Sequence, residues 1–190
     1  MIKETFYGYT SKANAEGTNH IIMVDYDDKT LQEIKNIWAK LIGSYNLPFV
    51  LIIKSSNKPK HYWVVSPVCL SYGKYLRLLF DAGADPLFAK YFFQHKRNTI
   101  RITSKNGFKP KLVCVLKRLF LFNSFSKPHY KLFKTLYGFK LTKKEKNEIC
   151  LYEQKPDYIE FNKYELIDGE GRAKSNEFKS LRKTLKSLGE

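Results

Sequence analysis

Between residues 20 and 105 the apolar positions switch between strand and helix periodicity. His20–Tyr26 (HIIMVDY) is a short apolar run that ends in acid, and it predicts a buried strand. Leu31, Ile34, Ile37, Trp38, Leu41 and Ile42 then recur at helical spacing, so residues 29–44 predict an amphipathic helix with Asp27 or Asp28 as its cap. Pro48–Lys54 (PFVLIIK) and His61–Val65 (HYWVV) predict two strands, and the turn-like SSNKPK between them makes a hairpin. Helices are expected over Leu70–Phe80, stopped by Ala82-Gly83, and from Pro86 to about His95 with Asp85 as N-cap. Thr99–Thr103 (TIRIT) alternates as a strand does, and Leu112–Phe122 is apolar but fits either state. Lys127–Tyr137, Thr142–Ile149 and Asn176–Leu188 read as helices, and Asp157–Phe161 as a strand. The expected class is α+β, a central and mostly antiparallel sheet flanked by helices. Residues 1–150 would form the main domain, with 151–190 a strand-helix appendage.

Charge adds a direction to this pattern. The 190 residues carry 34 Lys+Arg against 18 Asp+Glu, a net of +16. Residues 1–50 hold 5 basic and 6 acidic side chains, and residues 151–190 hold 8 of each. Between 51 and 150 the count is 21 basic against 4 acidic, so the whole excess lies there. A basic field beside a slightly acidic N-terminal block points to a polyanionic partner. At 43% hydrophobic and 15% aromatic, the chain has the means to bury a core, which argues against general disorder. No apolar run approaches the roughly 18–20 residues a membrane span needs. The first residues lack the apolar core of a secretory signal, so a cytoplasmic protein without a membrane partner is expected. Cys69, Cys114 and Cys150 are widely spaced and form no C-x-x-C pair, which favours buried thiols over zinc or a disulfide framework.

Chemistry concentrates in four places. Asp25 and Asp27 close the first strand two residues apart, a spacing that presents both carboxylates on one side and suits a hard divalent cation such as Mg²⁺ or Mn²⁺. Helix capping and solubility explain acids at such a position equally well. His61 follows a turn containing Ser56 and Lys58, and hydroxyl, ammonium and imidazole together suit a phosphate; a structural histidine beside Tyr62 and Trp63 is the alternative. A Ser-His hydrolase is disfavoured, because nothing supplies an orienting acid at a recognisable position. Asp85, with Asp81 as its competitor, offers a third carboxylate, and Arg101 and Lys105 lie on or beside the TIRIT strand. Finally, Lys109, Lys111, Lys117, Arg118, Lys127, Lys131 and Lys134 interleave with aromatics, as in a surface that tracks a phosphate backbone and stacks bases. Phe133 and Tyr137, at helical spacing, also fit a core.

In this order the elements resemble the catalytic core of the archaeo-eukaryotic primase superfamily, the primase-polymerases. IIMVDYD matches a hydrophobic strand ending in acid-x-acid, and Ser56 through His61 approximates a Ser-x-His segment on the next hairpin. Ala84-Asp85 stands for the third acidic element and Arg101–Lys105 for the basic strand after it. The likeness spans roughly residues 20–105; the Ser-to-His interval is longer than the family's and has no glycine. It implies an RRM-like core in which Asp25, Asp27 and Asp85 hold the two metal ions of nucleotidyl transfer. Ser56, Lys58, His61, Arg101 and Lys105 would then contact the incoming nucleoside triphosphate or template. Implied partners are template DNA, an RNA primer, nucleoside triphosphates, and a helicase or other replication protein. Two other classes stay open from the residues alone. One is a non-catalytic nucleic-acid-binding replication protein of a virus or plasmid; the other is a metal-dependent nuclease.

Overall fold

The computed structural model describes residues 4–118, 124–147, 150–152 and 159–166. The chain runs β1 (Glu4–Thr10), β2 (Asn19–Tyr26), α1 (Leu31–Ser44), β3 (Phe49–Lys54), β4 (Tyr62–Ser71), α2 (Tyr72–Asp81) and α3 (Pro86–His95). It continues through β5 (Thr99–Arg101), β6 (Lys111–Lys117), β7 (Ser124–Ser126), α4 (Lys127–Tyr137), α5 (Lys143–Asn147), β8 (Cys150–Tyr152) and β9 (Phe161–Leu166). This is an α+β fold with mostly antiparallel sheets flanked by helices.

The larger sheet has the order β6-β3-β4-β7-β8, and β2 pairs along the other side of β4. Both β2 and β3 are antiparallel to β4, so they run parallel to each other with β4 between them. Helix α1 makes the crossover that two parallel strands require. The result is a split β-α-β unit, and it brings the C-terminal ends of β2 and β3 to the same edge as the start of β4. The smaller sheet is β5-β1-β9, joined to the first where Ile21 N–H donates to Ser11 O at 2.7 Å. Residues 150–152 and 161–166 therefore supply a strand to each sheet. The core is continuous: Ile21, Ile22, Met23 and Val24 of β2, Phe49–Ile53 of β3, and Trp38, Tyr75 and Phe92 of the helices are all buried.

Local chemistry sets the boundaries. Helix α1 begins after Thr30, not Asp27 or Asp28, because Thr30 and Glu33 form a reciprocal capping box: Glu33 N–H donates to Thr30 Oγ1 and Thr30 N–H to Glu33 Oε2. Asp85 caps α3 as its sequence predicts, accepting from Leu87 N–H and Phe88 N–H, with Pro86 at the first helical position. Strand β4 runs on to Ser71, beyond the predicted end at Val65, and the helix predicted from Leu70 starts at Tyr72. A register shift opposite Ile21/Ile22 makes this extension possible, since it takes Pro67, which has no N–H, out of regular pairing. Strand β5 stops at Arg101 rather than Thr103. Of the ambiguous apolar stretch, residues up to Lys117 form strand β6 and 119–122 lie outside the described residues; of the strand expected at 157–161, residues 157–158 lie outside them and only Phe161 is in a strand, as the start of β9. Strands β1, β7 and β8 carry too little local pattern to be predicted. The helix expected at 176–188 lies outside the described residues.

Candidate active site

Four chain segments meet at the shared edge of the split unit. Asp25 is the penultimate residue of β2; it pairs with Trp63, which pairs in turn with Ile53, so the three side chains share one face. Tyr26 points to the other face. There its hydroxyl donates to Ala82 O at 2.8 Å and accepts from Trp38 Nε1–H at 3.0 Å. That buried clamp fixes the strand end on which both acids sit, and it ties β2 to the turn before Asp85. Asp85 is tied a second time, because its N–H donates to Asp25 O at 3.0 Å. Asp27 stands just past the strand, exposed, and accepts from His61 Nδ1–H at 2.6 Å.

The electrostatics single out Asp25. Burial, then the charges of Asp27 and Asp85, push its carboxyl up to about 7; the Tyr26 backbone N–H and the Trp63 indole offset part of this rise. Its Oδ1 is buried and has no hydrogen-bond partner. Such an orphaned, charge-crowded carboxylate is costly unless a cation or proton joins it. Asp81, the competitor for the third acid, is engaged elsewhere, accepting from Tyr45 Oη–H at 2.6 Å and lying 3.7 Å from Arg77 Nε. Asp85, not Asp81, is the acid whose charge reaches Asp25. Among the described residues, no three His, Cys, Asp or Glu side chains are drawn together closely enough to hold a metal ion. Asp85 Oδ1 is committed to the N-terminus of α3. The donor set of hard oxygens and the orphaned Asp25 Oδ1 suit a divalent cation in kind.

The 54–61 turn meets the acids through His61. Ser55 N–H donates to His61 O, Ser56 Oγ accepts from Lys58 N–H, and Lys54 Nζ donates to Lys58 O at 2.6 Å while lying over the Tyr62 ring. Arg101 reaches this turn from β5. Its guanidinium is buried near Phe6 and Trp63, and it donates to Ser55 O at 3.0 Å and to Thr103 O. Lys105 is exposed on a two-residue hairpin whose tip, Asn106-Gly107, has positive φ at both positions. Asn-Gly is the sequence signal that would have found this hairpin.

The basic residues expected to bind nucleic acid do not form one cluster. Lys109 and Lys111 lie at the carboxylate edge, where Lys111 pairs with Lys54. Lys117 and Arg118 lie at the other end of β6, roughly 20 Å away along the strand. Lys117 is also salt-bridged to Glu145 at 2.9 Å. Lys127, Lys131 and Lys134 sit on α4. Of the aromatics interleaved with these lysines, Phe133 on α4 and Phe139 after it are buried in the core and offer no face to a base, Phe108 is half-buried, and Phe120 and Phe122 lie outside the described residues. Among the described residues, the exposed Phe and Tyr side chains are Phe80, Tyr91 and Phe93 on α2 and α3, positions that the sequence pattern did not mark. Compared with family models, curated proteins and solved structures, the chain matches none.

Proposed function

We propose that this chain is a metal-dependent nucleotidyltransferase, a DNA primase or polymerase with an RRM-like core of the primase-polymerase kind. The reading is carried by one observation: the buried, partnerless Asp25 oxygen, raised to about 7 beside Asp27 and Asp85 at the end of a central strand. Asp25, Asp27 and Asp85 would hold Mg²⁺ or Mn²⁺, which requires them to draw closer than they stand here. When bound, such ions acidify an attacking hydroxyl and neutralise charge on a triphosphate. The chain's own residues do the rest. His61 orients Asp27 and leaves its second ring nitrogen for a phosphate oxygen. Lys54, Lys58, Lys105, Lys109 and Lys111 make the edge cationic, so the anionic substrate is drawn to the carboxylates. Arg101, bonded to two backbone carbonyls, positions the Ser55–His61 turn.

A second reading is favoured by the absence, among the described residues, of a tight three-ligand cluster. It makes the chain a nucleic-acid-binding replication protein without catalysis. One experiment separates the readings. The protein is incubated with Mn²⁺ or Mg²⁺, labelled nucleotides and single-stranded template, with and without primer. Nucleotide addition by wild type, lost in Asp25→Ala with Asp27→Ala, supports the transferase. Template binding without addition supports the binding protein, and shortening of the strands would make it a nuclease.

A further inference from the structure

Four of the five large hydrophobic side chains exposed among the described residues lie on α2 and α3: Phe80 (69%), Leu87 (74%), Tyr91 (39%) and Phe93 (63%). Between these helices a groove of about 410 Å³ opens, flanked by Phe80 and Phe93, floored by Ala84, Pro86 and Ala89, with Lys90 on its wall. That volume lies within the range of small-molecule sites, about 300–1,000 Å³. The apolar strip is set among cations: Lys74 and Arg77 on α2, Lys90 on α3, Lys96 just after it, and Lys29, whose stem lies near Gly83 and whose Nζ pairs with Asp28 at 3.1 Å. The acids of this surface are occupied: Asp28 by Lys29, Asp81 by Tyr45 and Arg77, and Asp85 by the α3 N-terminus. A partner that matches must be anionic and carry flat apolar faces. A single nucleic-acid strand has both, whereas a duplex hides its base faces in the stack.

The groove is tied to the carboxylate site through the backbone of Asp85. Ala84 and Pro86 line it, and Asp85 between them donates its N–H to Asp25 O. We propose that the α2–α3 groove takes an unpaired base of a single strand, stacked against Phe80 and Phe93, with Lys90 and Lys96 at the flanking phosphates. That this strand is the template rests on the transferase reading; the binding itself does not.

The test measures anisotropy of three labelled probes without nucleotide or metal: a single strand of about 20 thymidines, a duplex of equal length, and an abasic strand of equal charge. Phe80→Ser with Phe93→Ser should weaken the thymidine strand about 10- to 100-fold and leave the abasic strand unchanged, as the loss of base stacking requires. Both side chains are exposed, so the fold survives the change, which circular dichroism checks. The assay contains neither nucleotide nor metal, so its outcome stands apart from the transferase reading. Equal affinity of wild type for abasic and thymidine strands overturns the proposal. So does a double variant that binds thymidines like wild type, or one whose only change is a dimer converted to a monomer in sedimentation, which would make the face a self-interface.

Discussion

His61 Nδ1–H donates to Asp27 Oδ1 at 2.6 Å, joining the start of β4 to the acid just beyond β2. A hydrogen bond to a charged group is worth about 1.5–3 kcal/mol, and here it fixes the rotamer of a carboxylate that solvent would otherwise keep mobile. His61→Ala should therefore lower nucleotide addition about 10- to 100-fold, with part of the loss in KM for the nucleotide. His61→Asn, which keeps a donor near Asp27, should recover some of it. Steady-state kinetics over a nucleotide series checks both; wild-type rates in His61→Ala would remove this pair from the site.

Asp25 makes the pH dependence readable. Its folded pKa, about 7, lies above that of an unfolded aspartate, so between pH 4 and 7 the native state holds the extra proton. Stability contributed by this group falls as pH rises through that window and is flat above it. Buried His20 and His129 act in the opposite sense: burial lowers both to about 4, so their contribution is full above pH 6.5 and is lost as pH falls towards 4. Asp25→Asn should match wild type in urea unfolding near pH 4 and exceed it by about 1–3 kcal/mol at pH 7.5. The same variant should be inactive. Mn²⁺ should raise the melting temperature of wild type at pH 7.5 and leave Asp25→Asn unmoved.

How much of this was legible in the sequence depends on the range of each interaction. Helices α1, α3 and α4 and strands β2 and β3 carry their own periodicity and stops, and Asp85-Pro86 announces the start of α3 unaided. Strand β1 does not, because its order comes from pairing with residues 99–101 and 161–166, far along the chain. The acids at 25 and 27 could be seen as a pair. What makes Asp25 unusual could not: burial against Trp63 and the approach of Asp85 depend on register and on the Tyr26 clamp. Arg101 looked like a phosphate ligand by composition, yet burial turns its guanidinium onto backbone carbonyls.

Tyr26 is the direct test of that clamp. Tyr26→Phe leaves Trp38 Nε1–H and Ala82 O without their partner in the core, at a cost of about 1–3 kcal/mol for each unsatisfied group. Since Ala82 lies three residues before Asp85, nucleotide addition should drop further than stability alone explains. Assaying the variant well below its melting temperature separates the two effects; full activity there would mean that the clamp is only structural.

Lysine substitutions should resolve two ends of the basic field. Lys109→Ala with Lys111→Ala, at the carboxylate edge, should reduce the slope of log affinity for single-stranded DNA against log salt by about 1–2. Lys117→Ala, at the far end of β6 and salt-bridged to Glu145, should change the slope little. Titrations at several salt concentrations measure this, and equal effects from both ends would assign binding to overall charge.

Gly8 links the smaller sheet to the site. It faces Arg101 across β1–β5, and a Cβ there would lie 2.7 Å from both Ile100 O and Thr99 Cγ2. One of these two obstacles is backbone, so it yields only if β5 moves. Gly8→Ala should cost about 2 kcal/mol or more, in the range of other overpacked core positions. The displacement should propagate, because Arg101 at the end of β5 holds Ser55 O and with it the turn that carries His61. Two readouts check the chain of cause: a lower urea midpoint, and a raised KM for nucleotide in the folded variant below its transition. If Gly8→Ala lowers stability but leaves KM untouched, Arg101 does not transmit strand position to the turn.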